Sequence, residues 1–275
     1  MPSTFVNCQI LLSVLSILWI IFAYYGYSRY WSLQIFSSEK YAKKYLELPR
    51  ANQKNKIIVS LSTSNGNFEL LKPTINSILD QTVHADQIII STPPNTNLKN
   101  IPEFLKENRI IVVHALSKNY GESSCFLSPL LREKDGDAII ICISGQTVYG
   151  PDFIETILGE SQMHPDKVIF ITGYKAKTFL ANGKKVDEKN ENDIVSVSDG
   201  ILIKPKFFHE DIFEYTKNFP FGIENTPDIY LSNYLHTHHI PITQVSYNEN
   251  FSKFSTVHHN SHKNLLFLAS NFPSI

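Results

Sequence analysis

The sequence lacks an excess of charge of either sign. Its 275 residues contain 25 Lys and Arg against 26 Asp and Glu, which gives a formal net charge of −1. This balance gives no support to a basic nucleic-acid-binding protein or to an acidic disordered tail, so no nucleic acid partner is expected. Only 11 Gly and 14 Pro are present, which excludes collagen-like and low-complexity classes. Hydrophobic residues make up 43% of the chain, enough for a packed core.

Cysteine is scarce, and several common motifs are missing. The three cysteines, Cys8, Cys125 and Cys142, do not form a disulfide framework. The loop after the first predicted strand reads STSNGN, which is neither GxGxxG nor a Walker A loop. GxSxG, CxxC, HExxH and EF-hand patterns are also missing. Dinucleotide-dependent enzymes and P-loop NTPases are therefore not expected.

The apolar residues are concentrated near the amino terminus. Residues 4–25 include no charged side chain, and about 20 apolar residues suffice to span a bilayer as a helix. A cleaved signal peptide would begin with basic residues and have small residues at the cleavage site, and this segment has neither. A buried core helix is the other alternative. We predict one N-terminal transmembrane helix, with residues 1–30 as a membrane anchor that contacts the membrane through residues 4–25.

The orientation of this anchor follows from the basic residues around it. Arg29, Lys40, Lys43 and Lys44 follow the apolar run, and no basic residue precedes it. The positive-inside rule favours a cytosol-facing carboxyl-terminal domain on a single-pass membrane protein. A lumenal domain remains the alternative.

Beyond the anchor, the sequence predicts an α/β domain. Residues 31–55 are predicted as a polar stem, 56–250 as the folded domain and 251–275 as a tail. Short β-branched and apolar runs alternate with helical patterns, and these runs are typical of parallel strands covered by helices. In such sheets ligands bind beyond the carboxyl ends of the strands. The predicted strands cover residues 57–61, 88–90, 110–113, 138–143 and 168–171.

Four segments from Lys56 to Gln244 carry a resemblance to a known family. They read KIIVSLSTSNGNFELLKPTINSILDQTVHADQIIISTP, NYGESSCFLSPLLREKDGDAIIICISGQTVYGPDF, VSDGILIKPKFFHEDI and TPDIYLSNYLHTHHIPI. In this order they resemble glycosyltransferase family 2-like domains of the GT-A type. The resemblance implies a mostly parallel sheet flanked by helices, a nucleotide-sugar donor, and a glycan or lipid acceptor.

The departures from the family pattern concern the metal and the phosphates. The family has an acidic triplet after its fourth strand, which holds Mg²⁺ or Mn²⁺ against the diphosphate. Here those positions are Ser144, Gly145 and Gln146, and none carries a charge. Asn119 stands where the family has an Asp, and Cys125 where it has a Lys. The resemblance therefore implies no carboxylate ligands here. Gln146 could offer only a neutral carbonyl, so Mn²⁺ or Mg²⁺ stays an alternative that the motif does not support.

Other site residues follow from the same resemblance. Asp228 matches the second residue of the family's acidic pair, so it is the candidate base that deprotonates the acceptor. The alternative is an acid at a helix N-terminus, which interacts favourably with the helix dipole. Glu224 is a weaker alternative. Asp199 and Gly200 fall on the acceptor side, although Asp199 could be a solvated turn acid. The candidate donor-binding residues are Ser62, Thr63, Ser64, Asn119, Tyr120, Ser144, Gly145 and Gln146.

Two functions remain open. The first is a membrane-anchored glycosyltransferase that is metal-independent or has an altered metal site. Basic side chains would then stabilise the diphosphate, with Lys118, Lys204 and Lys206 as candidates. The second is a catalytically degenerate glycosyltransferase fold that binds a glycan or a protein partner. A displaced metal site at His258 or His259 is a further alternative to a polar surface cluster.

Overall fold

The computed structural model describes residues 2–24, 27–47, 54–63, 67–106, 108–174, 194–215 and 226–245. Eight α-helices are present in these ranges: α1 (Pro2–Tyr24), α2 (Tyr27–Ile35), α3 (Ser38–Glu47), α4 (Lys72–Leu79), α5 (Glu103–Lys106), α6 (Ser124–Arg132), α7 (Phe153–Met163) and α8 (Pro227–Thr237). The strands of the same ranges are β1 (Ile57–Ser62), β2 (Gln87–Thr92), β3 (Ile111–Ala115), β4 (Ile139–Cys142), β5 (Val168–Phe170), β6 (Gly173–Tyr174), β7 (Ile194–Val195), β8 (Ile201–Ile203) and β9 (Ile242–Gln244).

Seven strands form the main sheet, in the order β3-β2-β1-β4-β8-β5-β9. The pairs β3-β2, β2-β1, β1-β4 and β5-β9 are parallel. Strand β8 runs antiparallel to both β4 and β5. Strands β6 and β7 form a separate antiparallel pair. The predicted mostly parallel α/β sheet is thereby confirmed.

The antiparallel β8 brings a late part of the chain to the site edge of the sheet. Ile201, at the start of β8, pairs with Cys142, at the end of β4. The residues just before β8 therefore lie beside the residues that follow β4. Because β1 and β4 are parallel neighbours, the end of β1 lies at the same edge.

Helices cover both faces of the sheet. Alternate side chains of a strand point to opposite faces, and in β1 the residues Ile57, Val59 and Leu61 join one core cluster while Ile58 joins the other. The first cluster includes Ile75 of α4 and residues of α7. The second is built from α6 and α8. Its largest buried side chains are Phe126, Tyr230 and Tyr234.

Helices α2 and α3 pack against α4, within residues predicted as anchor and stem. Leu33 and Tyr45 are buried in the first core cluster. The Asn76 side chain donates a hydrogen bond to the Leu33 carbonyl at 2.8 Å. The domain boundary at Lys56 remains a prediction, but two helices that precede it belong to the same packed unit.

Helix α1 is 23 residues long. Within the ranges that the structure describes, no helix is both long and apolar enough to cross a membrane. The transmembrane helix remains a prediction.

Candidate functional site

The predicted donor residues at the end of β1 take part in contacts between loops. Ser62 is half-buried, and its hydroxyl donates a hydrogen bond to the Glu122 carbonyl at 3.1 Å. The Thr63 amide donates to the Ser91 carbonyl at 3.0 Å. These bonds join the end of β1 to the turn that precedes α6 and to β2. Ser64 lies outside the described residues.

The turn after β4 is tightly packed. The Gly145 carbonyl accepts a hydrogen bond from the Thr74 hydroxyl at 2.9 Å. A Cβ atom on Gly145 would lie 2.7 Å from Leu71 Cδ2, so any side chain here would displace Leu71. The Gln146 amide donates to the Ser144 hydroxyl at 3.2 Å, and Gln146 is exposed. The turn keeps a defined shape without any carboxylate.

Asp228 lies in the first turn of α8, next to Pro227, and is 9% exposed. Its Oδ1 accepts a hydrogen bond from the Val197 amide at 2.8 Å. Burial raises the pKa of Asp228 from 3.8 to about 7. The Val197 N–H opposes this rise in pKa, and the negative charges of Asp199 and Glu122 add to it. A carboxyl group with this pKa can accept and release a proton near neutral pH.

The two predicted acceptor-side residues precede β8. Asp199 is half-buried and close enough to Asp228 to raise its pKa. Gly200 is buried with φ at +119°. A Cβ atom there would lie 2.7 Å from the Phe153 ring. Both the positive φ and this close contact require glycine at the position.

Tyr149 joins the two turns of this edge, and sequence reasoning missed it. Its hydroxyl donates to the Ser198 carbonyl at 2.7 Å and accepts a hydrogen bond from the Ser144 amide at 2.9 Å. Burial raises the pKa of Tyr149, so the hydroxyl remains protonated. Tyr149 lies in TVYGPDF, part of a segment that carried the resemblance, and that was the available signal.

Asn119 and Tyr120 lie further out. The Asn119 side chain is exposed, and its Oδ1 accepts a hydrogen bond from the Gly121 amide at 2.9 Å. This bond stabilises the turn that contains Asn119. Tyr120 is half-buried against the second core cluster, and the Lys118 ammonium lies 5.0 Å from its ring centroid. Burial raises the pKa of Tyr120. Both donor-binding roles remain predictions.

Two of the three basic candidates for the diphosphate lie at the wrong end of β8. Lys204 and Lys206 follow Ile203, which pairs with Ile140 near the amino end of β4. Lys204 is buried and donates to the Pro165 carbonyl at 2.6 Å. Lys206 forms an ion pair with Asp137 at 3.0 Å. The antiparallel direction of β8 explains the error, since the same residues after a parallel strand would lie at the site edge.

The residues around the turn after β4 do not fit a divalent cation. Mg²⁺ and Mn²⁺ bind hard, usually charged oxygen ligands, and Ser144 and Gln146 offer only neutral side chains. No group of three or more His, Cys, Asp or Glu in the described part of the chain could hold a metal ion. His258, His259, His262 and Glu224 lie outside that part.

A cavity is present near the amino ends of β1 and β2. Lys56, Gln87, His114, Arg132 and Glu133 are among the residues that line it. None of the predicted site residues lines this cavity. Burial and the charge of Arg132 lower the pKa of His114.

The predicted residues that the structure does bring together are Ser62, Ser144, Asp199 and Asp228. A chain of contacts joins three of their four loops: Ser144 to Tyr149, Tyr149 to Ser198, and Val197 to Asp228. Ser62 adjoins this set, because its carbonyl oxygen lies 3.4 Å from the position that a Cβ atom on Gly145 would take. The result is a polar edge with a buried carboxyl group.

Comparison with known proteins gave structural neighbours only. No family model matches the sequence, and no curated protein does. The structure is similar to a mannosyltransferase, PcManGT from Pyrobaculum calidifontis in complex with GDP-Man and Mn²⁺, at 11% identity and a TM-score of 0.47, over 80% of this chain and 64% of that one. It is also similar to S. aureus TarS 1–349, at 13% identity and a TM-score of 0.46, over 78% of this chain and 71% of that one.

This chain therefore spans less than two thirds of the mannosyltransferase chain. Likenesses of this size carry no information about a shared substrate.

Proposed function

We propose that this protein is a glycosyltransferase that moves a sugar from a nucleotide-sugar donor to an acceptor hydroxyl, with Asp228 as the general base. The observation that supports this is a buried carboxyl group with a pKa near 7 at the carboxyl edge of an α/β sheet. Ligands of such sheets bind at this edge. The hydroxyl of Tyr149 joins the Ser144 amide to the carbonyl of Ser198, the residue before Asp199.

In the proposed reaction, Asp228 takes the proton of the acceptor hydroxyl. The acceptor oxygen then forms a bond to the anomeric carbon, while the bond between that carbon and the diphosphate oxygen breaks. The nucleoside diphosphate leaves, and the proton remains on Asp228 until solvent removes it. A single displacement of this kind inverts the anomeric configuration.

The proposed donor contacts are the polar groups of Ser62, Thr63 and Ser144. Because the turn after β4 has no carboxylate, no step is assigned to a metal held there. The leaving diphosphate would be stabilised by hydrogen-bond donors at the edge. Lys118 remains a candidate for this role, since it lies in the loop after β3.

The direct test is turnover of a panel of nucleotide sugars by the full-length protein, followed as release of nucleoside diphosphate, with Mn²⁺ and with EDTA. We expect activity that persists in EDTA and is lost in Asp228→Asn. Asp166→Asn is the matched control, because Asp166 is exposed and lies at the other edge of the sheet. Failure of every donor to bind or react would contradict the proposal for that panel.

One observation favours a second function, a degenerate fold that binds a glycan or partner protein. The turn of residues 144–146 is packed so that a carboxylate at Gly145 would displace Leu71. Leu71 would have to move to admit a carboxylate at this one position of the turn. Saturable glycan binding without turnover of any donor would support this function over the enzyme.

The membrane anchor belongs to the same proposal. Residues 4–25 carry no charge, and Leu15, Leu18 and Ile20 of α1 are more than half exposed. Exposed apolar side chains in such number suit lipid contact. The basic residues after α1 favour a domain that faces the cytosol. Protection of the domain from protease in sealed vesicles of known orientation tests this.

A further inference from the structure

Helix α2 has apolar side chains on two opposite faces. Leu33 is fully buried against the domain. Trp31 and Ile35 lie on the other side of the helix and are 54% and 66% exposed. One face of a surface helix normally meets water. Here the domain covers one face of α2, and no part of the described chain covers the other.

The apolar surface continues past the end of α2. Phe36 is 43% exposed, and the Lys40 ammonium lies 3.9 Å from its ring centroid. We name the exposed side chains of Trp31, Ile35 and Phe36 the α2 outer face. It combines an indole, an aliphatic side chain and a phenyl ring, with a lysine at its border. This composition is typical of the boundary between lipid chains and headgroups.

The charges near this face favour anionic headgroups. Helices α2 and α3 carry four basic side chains and two acidic ones, Glu39 and Glu47. Lys43 is largely exposed and is paired only with the equally exposed Glu39. Basic residues close to an anionic membrane surface favour binding to it. Arg29 and Lys44 are paired with Asp80, so Lys40 and Lys43 are the basic side chains that we expect to contact the headgroups.

The α2 outer face is held rigidly on the domain. The Arg29 guanidinium forms an ion pair with Asp80 at 3.0 Å and donates to the Tyr149 carbonyl at 2.9 Å. The Asn76 side chain donates a hydrogen bond to the carbonyl of Leu33. Because Tyr149 also joins the turns of the candidate site, the same contacts connect the face to that site.

We propose that the α2 outer face lies in the interfacial layer of a lipid bilayer and holds the domain in a fixed orientation on the membrane. This inference rests on the proposed anchor, because α1 ends at Tyr24 and α2 begins at Tyr27. With α1 inserted, the face is only a few residues from the headgroups. The membrane then contacts the domain directly, rather than through a free linker.

The chain contains two tryptophans, which allows the face and the anchor to be tested separately. In Trp19→Phe, Trp31 is the sole tryptophan, and its emission, excited selectively over that of tyrosine, reports on the face. In Trp31→Phe, Trp19 reports on α1. Each full-length variant is reconstituted into vesicles of phosphatidylcholine and phosphatidylglycerol. Quenching is measured with brominated lipids from the membrane side and with acrylamide from the water side.

We expect Trp31 to be quenched by lipids brominated close to the headgroup and to be shielded from acrylamide several-fold relative to the urea-unfolded chain. Lys40→Gln/Lys43→Gln should reduce the lipid quenching of Trp31 in anionic vesicles. Lys134→Gln, an exposed lysine outside the face, should leave it unchanged.

Three results would overturn the inference. If brominated lipid quenches Trp19 but acrylamide quenches Trp31 as in the unfolded chain, the anchor stands and the face lies in water. If Trp31 is shielded from both quenchers, a protein covers the face. If lipid quenches neither tryptophan, the anchor fails and the inference fails with it. Sugar-transfer assays do not depend on any of these three results. Failure of the proposed enzyme function can therefore be distinguished from failure of the membrane contact.

Discussion

The Asp228 carboxylate accepts a hydrogen bond from the Val197 backbone amide at 2.8 Å. The bond connects the first turn of α8 to the loop that carries Asp199. A carboxylate has two oxygens, so one can hold this loop while the other accepts a proton. The helix-terminal and base roles of Asp228 are therefore compatible.

The raised pKa of Asp228 predicts how stability depends on pH. The folded state binds a proton up to about pH 7, whereas the unfolded chain releases it near the ordinary value of 3.8. Between these values the folded state holds more protons, so the stabilising contribution of Asp228 is full below pH 3.8 and falls as pH rises to about 7.

Asp228→Asn should remove this dependence, because the amide oxygen can still accept the Val197 N–H and carries no charge. We expect the variant to gain stability relative to wild type by up to a few kcal/mol as pH rises through this window. Urea unfolding of both proteins across the window measures the difference. A difference that does not change with pH would contradict the pKa shift.

Removing the hydroxyl of Tyr149 should loosen the site edge. Tyr149→Phe removes two hydrogen bonds at part-buried groups, one from the Ser144 amide and one to the Ser198 carbonyl, and a typical hydrogen bond contributes about 0.5–1.5 kcal/mol to stability. Denaturant unfolding should show this loss. Tyr41→Phe is the control, because that hydroxyl makes one 3.3 Å bond to the Ser32 hydroxyl. Equal losses in the two variants would argue against a special role for Tyr149.

Replacement of two glycines by alanine should change the stability of the fold in opposite directions. Gly200→Ala places a Cβ against Phe153 at positive φ, and we expect a loss of about 1–3 kcal/mol. Gly159 lies inside α7 with no atom within 4 Å of its added Cβ, so Gly159→Ala should stabilise the fold by about 0.5–1 kcal/mol. Thermal unfolding measures both. A Gly200→Ala protein that unfolds at the same temperature as wild type would contradict the close packing described for the residues before β8.

The sequence predicts the main elements of the fold well, for a physical reason. Strands β1, β2 and β4 are short apolar runs that are buried on both faces, and such runs are visible without tertiary information. The direction of β8 is not visible, because Ile201–Ile203 would be equally apolar in either direction. That uncertainty led to the wrong placement of Lys204 and Lys206.

The candidate site was predicted only where a residue's own position in the pattern defines it. Ser144 could be named from the strand that it follows, and Asp228 from the resemblance of its segment to the family's acidic pair. The role of Tyr149 depends on Ser198, 49 residues away, and no local pattern encodes that pairing. The packing of α2 was hidden in the same way, because Trp31, Leu33 and Ile35 put apolar side chains on opposite faces of the helix, and the sequence does not mark which face is buried.

The proposed base is tested most directly by the pH dependence of kcat/KM for nucleoside diphosphate release, in wild type and Asp228→Asn. Asp228 must be ionised to accept the proton, so kcat/KM of the wild type should rise about tenfold per unit below a pKa near 7 and then level off. Asp228→Asn should lose roughly 10²- to 10⁴-fold and its residual rate should lack this limb. A variant with wild-type kcat/KM and the same limb would contradict the assignment of Asp228 as the base.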